Sequence, residues 1–200
     1  MYTIIGSPKN RAARVIWMLE ELGEKYEFVA AMPHTPEVLA HNVGGKVPVL
    51  IDGDFALSDS AAILMYLADK HGKLTYPVGS QERAKLTSIM FFAQDEVECP
   101  PWTLAKHSFL PPKDLHALDA IKPMLEHDFA KAMRGLAARL GDGPYIMGED
   151  FTIADIYLGH TGSWARGAGF EIPEGPVADY FARVSQRPGW QVVKKAREAA

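Results

Sequence analysis

A hydroxyl at the mouth of a helix is the first place where this sequence can do chemistry. In Asp59-Ser60-Ala61-Ala62-Ile63, Ser60 stands at the head of a helical run. Its hydroxyl and the free N–H groups of a first helical turn can hold an anion. The same serine reads as a plain helix cap, and both roles can hold together because a capping hydroxyl keeps bonding capacity. Upstream, Val47-Pro48 heads an apolar run. Proline donates no ladder hydrogen bond, so it marks the start or the edge of a strand. Nearer the N-terminus, Ser7-Pro8-Lys9-Asn10-Arg11 gathers a hydroxyl, an amide and two cations before a helical pattern. Serine and asparagine are also ordinary turn formers. In Phe151-Thr152-Ile153-Ala154-Asp155, Thr152 and Asp155 have the spacing of a capping box, with Asp in place of Glu. That motif belongs to folding rather than chemistry.

Other chemistries find no support. The seven histidines show no metal-binding spacing, so no metal site is expected. One cysteine, Cys99, excludes an internal disulfide and any multi-cysteine metal site. The 21 basic and 25 acidic residues leave a net charge of -4 with no basic run, so no nucleic-acid partner is expected. No apolar span reaches the roughly 18 residues of a membrane helix, and Met1–Gly6 lacks the basic leader of a signal peptide. A soluble, cytoplasmic protein with no membrane partner is the expectation.

The elements that position these residues fall into two groups. Tyr2–Gly6 reads as a strand, 12–22 as a helix ending at Gly23, and Tyr26–Ala30 as a second strand. A strand, a helix and a strand in this order imply a right-handed crossover between parallel neighbours. Residues 31–46 look irregular. Val47–Ile51, a turn at Asp52-Gly53, and Phe55–Leu57 make a hairpin, followed by a helix over 61–70. Tyr76-Pro77-Val78-Gly79-Ser80 is a linker. Beyond it the pattern is helical: one helix through Leu86, Ile89, Met90, Ala93 and Val97, which Cys99-Pro100-Pro101 breaks or bends. Another covers 114–140 and is interrupted or kinked at Pro123, and others begin near Ile153, Val177 and Gln191. Two domains are expected, 1–76 and 81–200.

On three motifs, Gly45-Lys46-Val47-Pro48-Val49-Leu50, Asp59-Ser60-Ala61-Ala62-Ile63 and Phe151-Thr152-Ile153-Ala154-Asp155, the chain resembles the soluble, bacterial-like glutathione transferases over nearly its whole length. The resemblance implies an α/β thioredoxin-like domain that binds glutathione, then an all-α domain. It implies a cis bond before Pro48, with the Val47 N–H and C=O turned toward the extended peptide. It places the γ-glutamyl carboxylate at Ser60 and the ammonium near Asp59. It places the glycine carboxylate at Lys46 and Asn42, although Val43 stands where the family pattern has proline. Trp102 and His107, after Pro100-Pro101, would line the pocket for an electrophile.

The family activates the glutathione thiol from the first loop with Tyr, Ser or Cys, occasionally Asn. Here neither Tyr nor Cys is present in that loop. Ser7 is the first choice, Asn10 the second and Arg11 the third, with a backbone N–H alone as the remaining option. The implied activity is conjugation of glutathione, as co-substrate, to a small electrophile by a detoxifying cytoplasmic homodimer. Peroxidase or disulfide-reductase activity, isomerisation of a diacid aided by Lys9 and Arg11, and a non-catalytic scaffold are the alternatives.

Overall fold

The protein is seen here as a computed structural model that describes residues 1–108 and 113–199. It divides into two compact units, Met1–Val78 with Ser185–Ala200, and Gly79–Val184. The first is α/β and thioredoxin-like, and the second is all-helical among its described residues.

In the first unit the order is β1 (Tyr2–Gly6), α1 (Ala12–Leu22), β2 (Tyr26–Ala30), α2 (Pro36–Leu39), β3 (Val49–Asp52), β4 (Phe55–Ser58) and α3 (Ser60–His71). The sheet runs β2-β1-β3-β4. β1 is parallel to β2, with Tyr2 opposite Tyr26, and antiparallel to β3, with Ile5 opposite Val49. β3 and β4 close a hairpin with Asp52 opposite Phe55. Trp17 and Leu19 of α1, Leu50 of β3, and Ile63 and Leu64 of α3 are fully buried. They bury the apolar stripes of two helices against the sheet, which is the main stabilising term for a unit of this size. The segment expected to be irregular contains the short helix α2, entered through Pro36 in its first turn.

The last sixteen residues were expected to belong to the second domain. Instead Ser185–Ala200 joins the first unit through α9 (Pro188–Ala199). Trp190 packs on Trp17 with ring centroids 4.8 Å apart. Gly189 permits this approach, since a Cβ there would lie 2.7 Å from Trp17 Cδ1. Arg187 forms an ion pair with Glu21, which also accepts from Trp17 Nε1 at 3.0 Å.

At the end of β3, the Asp52 carboxylate accepts from the Tyr66 hydroxyl at 2.6 Å and pairs with the Lys70 ammonium. Lys70, and then Tyr66, hold the Asp52 carboxyl below its usual range. Its stabilisation is therefore present above the unfolded value of about 3.9 and is lost as pH falls through the lower folded value. Asp52→Asn is expected to lower the thermal midpoint at neutral pH. The gap to wild type should close in scans taken at progressively more acid pH.

The second unit contains α4 (Gln81–Phe92), a π-helical turn (Ala93–Val97), α5 (Cys99–Lys106), a 3-10 turn (Lys113–Leu115), α6 (Leu118–Arg139), α7 (Ile153–Gly167) and α8 (Pro176–Val184). Pro100 and Pro101 sit in the first turn of α5, where a missing N–H costs no intrahelical bond. They begin a helix, and the π-helical turn separates it from α4. The helix expected over 114–140 starts at Leu118 and runs through Pro123. The expected second domain also spans residues 109–112 and 200, which lie outside the described residues. No described helix is long and apolar enough to cross a membrane.

α7 starts from the predicted capping box. The Asp155 carboxylate accepts from the Thr152 N–H at 2.8 Å and the Thr152 hydroxyl at 3.1 Å. It also accepts from Ile146 N–H and from the Tyr180 hydroxyl of α8, both at 2.9 Å. Burial pushes the Asp155 carboxyl upward, and these four bonds oppose that shift. One buried carboxylate thus joins the loop before α7, the start of α7, and α8.

Candidate active site

The Val47–Pro48 peptide bond is cis. β3 begins at Val49, so the Val47 N–H and C=O precede the ladder with β1. The sequence pattern had started this strand at Val47. Pro48 is buried and Val47 is half-buried.

Gly6 brings the first loop close to this spot. A Cβ on Gly6 would stand 3.6 Å from Val47 Cβ and 3.5 Å from Asn10 Oδ1. It would also lie 2.7 Å from Ala12 Cβ, too close for any larger residue without movement. The loop from Ser7 to Asn10 folds on itself. Asn10 N–H donates to the Ser7 carbonyl at 3.1 Å, and Lys9 N–H donates to Ser7 Oγ at 3.2 Å. Asn10 Oδ1 accepts from Ala12 N–H at 2.9 Å and from Ser7 N–H at 3.4 Å. Asn10 therefore caps α1 with its oxygen and keeps its NH2 group for another partner. Ser7 Oγ acts as an acceptor in the loop, so its proton remains a donor. Arg11 takes the residue position before α1 in helical conformation, without capping it through its side chain.

At α3 the sequence left two readings of Ser60, and the cap proves to be Asp59. Its Oδ1 accepts from Ala61 N–H at 2.9 Å and Ala62 N–H at 3.2 Å. The N–H of Ser60 itself is left by this cap. The Ser60 hydroxyl accepts from Arg14 Nη1 at 3.0 Å, so its proton is also available. Arg14 is fully buried, among the apolar residues of the first turns of α1. This guanidinium ties α1 to the mouth of α3. Spacing alone did not single it out, because a charge between apolar-stripe positions normally faces solvent.

Asn42 and Lys46 share one loop. Asn42 Nδ2 donates to the Lys46 carbonyl at 2.8 Å, and Asn42 Oδ1 accepts from Gly44 N–H at 3.0 Å. Asn42 thus shapes the loop that presents the exposed Lys46. Val43, in place of proline, is exposed on this turn. Gly45 has φ +65°, and a Cβ there would collide with the His34 ring.

Residues 4–77 match the glutathione S-transferase N-terminal domain, and residues 118–191 match the C-terminal domain. Glutathione S-transferase F7 of Arabidopsis thaliana is 30% identical over 167 residues, covering 77% of this chain and 78% of the relative. The chain belongs to the glutathione S-transferase family. Among solved structures, a glutathione S-transferase from Pseudomonas fluorescens is 28% identical with a TM-score of 0.78, covering 94% of this chain and 96% of that one. A glutathione transferase family member from the same organism, solved with two glutathione bound, is 26% identical with a TM-score of 0.80; coverage is 98% and 92%.

The two residues expected in the transferase's electrophile pocket are on the second unit. Trp102 is a half-buried residue of α5, with the Lys106 ammonium 5.8 Å from its ring centroid. His107 follows as the α5 C-cap, and its Nδ1 is buried without a hydrogen-bond partner. Among the described residues no cluster of three His, Cys, Asp or Glu could hold a metal ion. Besides Arg14, the residues that sequence reasoning missed are Gly6, whose lack of a side chain admits the loop, and Arg197 of α9, whose Nε donates to the Pro8 carbonyl of that loop at 2.8 Å.

Proposed function

We propose that this chain conjugates the thiolate of glutathione to electrophilic small molecules. The observation that supports this most is the approach of Gly6, Asn10 and Val47 within the first unit. In this reading the cysteinyl backbone of glutathione pairs with the Val47 N–H and C=O, as an added strand. The γ-glutamyl carboxylate takes the Ser60 N–H and hydroxyl, and its ammonium meets Asp59. Lys46 and the Asn42 loop receive the glycine carboxylate. Family membership and the glutathione-bound relative from Pseudomonas fluorescens support the choice of ligand.

The thiol must then be ionised. A free thiol near pKa 8.5 is mostly protonated at neutral pH, and lowering it by two units requires about 2.7 kcal/mol. A hydrogen bond from Ser7 or Asn10 and the positive end of α1 can supply this, and Arg11 adds a cation nearby. The proton leaves to solvent. The sulfur lone pair forms a C–S bond to the electrophilic carbon, and the leaving group departs with its electron pair. Trp102 would stack on an aromatic electrophile, with His107 as a polar handle. A detoxifying homodimer in the cytoplasm completes the reading.

Retention on immobilised glutathione, followed by turnover of 1-chloro-2,4-dinitrobenzene, tests the proposal. A protein that is not retained would favour the scaffold, and turnover of a diacid in place of conjugation would favour isomerisation. Ser7→Ala is expected to raise the apparent pKa of the bound thiol in a thiolate absorbance titration. An unmoved titration would transfer the role to Asn10 or Arg11. Ser60→Ala should weaken glutathione binding by about 1 kcal/mol or more, the size of a lost charge-assisted hydrogen bond. Calorimetry showing unchanged affinity would remove Ser60 from the site.

A further inference from the structure

Pro8 sits in the middle of the loop that carries Ser7 and Asn10. Lacking an N–H, it has one backbone hydrogen-bonding group, its carbonyl. That carbonyl accepts from Arg197 Nε at 2.8 Å. Arg197 belongs to α9, and it is 189 residues away in sequence. The hydrogen bonds described within the Ser7–Asn10 turn are local, joining Ser7, Lys9, Asn10, Ala12 and Ala13.

The guanidinium is held from behind as well. Its carbon lies 4.7 Å from the centroid of the Trp190 ring, within cation–π range. Trp190 in turn is pressed on Trp17 of α1. Trp190, Val193 and Arg197 stand at i, i+3 and i+7, so the cation ends the stripe by which α9 packs. Desolvation lowers its pKa, a cost that an ordinary surface arginine does not bear. A guanidinium placed there is rigid, with its donors fixed in a plane.

We infer that Arg197 is a positioning residue for thiol activation: by gripping the Pro8 carbonyl it fixes the loop in the orientation that aims Ser7 and Asn10 at the glutathione sulfur. This rests on the function proposed above. In that reading Val47, Asp59 and Ser60 hold the peptide, and Arg197 acts only through the loop. The C-terminal helix is thereby part of the activating device and not only a support for α1.

The test compares Arg197→Gln and Arg197→Lys with wild type in the full chain. Amide exchange at Lys9, Asn10 and Arg11, measured without ligand, should quicken about tenfold or more in Arg197→Gln while β1 and β3 keep wild-type protection. With glutathione, affinity should change less than about threefold, while kcat toward 1-chloro-2,4-dinitrobenzene falls about tenfold and the thiolate titration moves to higher pH. Arg197→Lys, which can still reach one carbonyl, should recover most of both. Wild-type loop exchange and an unmoved titration in Arg197→Gln would overturn the inference, even if the thermal midpoint fell. If wild type itself binds no glutathione, the functional reading fails and takes the activation role with it. The ligand-free exchange result then separately decides whether the clamp on the loop exists.

Discussion

Asp59→Asn is expected to leave the fold nearly as stable as wild type while lowering glutathione affinity at least about tenfold, the size of a charge-assisted hydrogen bond. The two oxygens of Asp59 have different tasks. Oδ1 accepts from two of the first-turn amides of α3, those of Ala61 and Ala62. Oδ2 is the oxygen left for an ammonium. In the asparagine variant the carbonyl oxygen can keep the cap, since Asn and Asp cap helices about equally. The NH2 group then replaces Oδ2 and turns a donor toward a cation. Asp59→Ala, by contrast, should lose the cap as well, at about 1 kcal/mol of stability. Calorimetry alongside thermal scans separates the two variants. An Asp59→Asn protein that binds glutathione like wild type would show that the ammonium is held elsewhere.

The largest loss of stability is expected from Asp155→Ala. The carboxylate is fully buried and accepts four hydrogen bonds, from Ile146, Thr152 N–H, Thr152 hydroxyl and Tyr180. Alanine would leave these donors without their acceptor and open a cavity beside Tyr180. Each buried unsatisfied donor costs about 1–3 kcal/mol, and partial relaxation brings the expected total to about 3–5 kcal/mol. For a chain of this size that is a fall of roughly 10 °C in the thermal midpoint. Thr152→Ala, which keeps the backbone half of the capping box, should cost only about 1 kcal/mol. A midpoint for Asp155→Ala within about 2 °C of wild type, the shift that roughly 1 kcal/mol or less gives in a chain of this size, would mean that the buried network contributes little.

The sequence was most readable where a local rule and the tertiary structure agree. Tyr2–Gly6 and Tyr26–Ala30 fold as strands with the expected bounds because a short apolar run closed by a turn has one good use in a sheet. Thr152 and Asp155 announced α7 because capping satisfies orphan donors within one turn. Where two residues could serve one purpose, spacing did not choose. Asp59 and Ser60 both cap helices well, and the carboxylate took the cap because it reaches two amides. Long-range placement was least legible. The stripe of α9 shows that one face is buried, but not that it packs on α1. Arg14 is buried because Ser60, 46 residues later, offers it an oxygen. Nothing in the local pattern around either residue encodes that meeting.

A crystal structure of the complex with glutathione bears most directly on the site. The cysteinyl N–H and C=O are expected to pair with Val47, and the γ-glutamyl carboxylate to lie on the N–H and hydroxyl of Ser60. The sulfur should lie within about 3.5 Å of Ser7 Oγ or Asn10 Nδ2. A peptide bound away from Val47, or one whose sulfur points away from the Ser7–Asn10 loop, would contradict it.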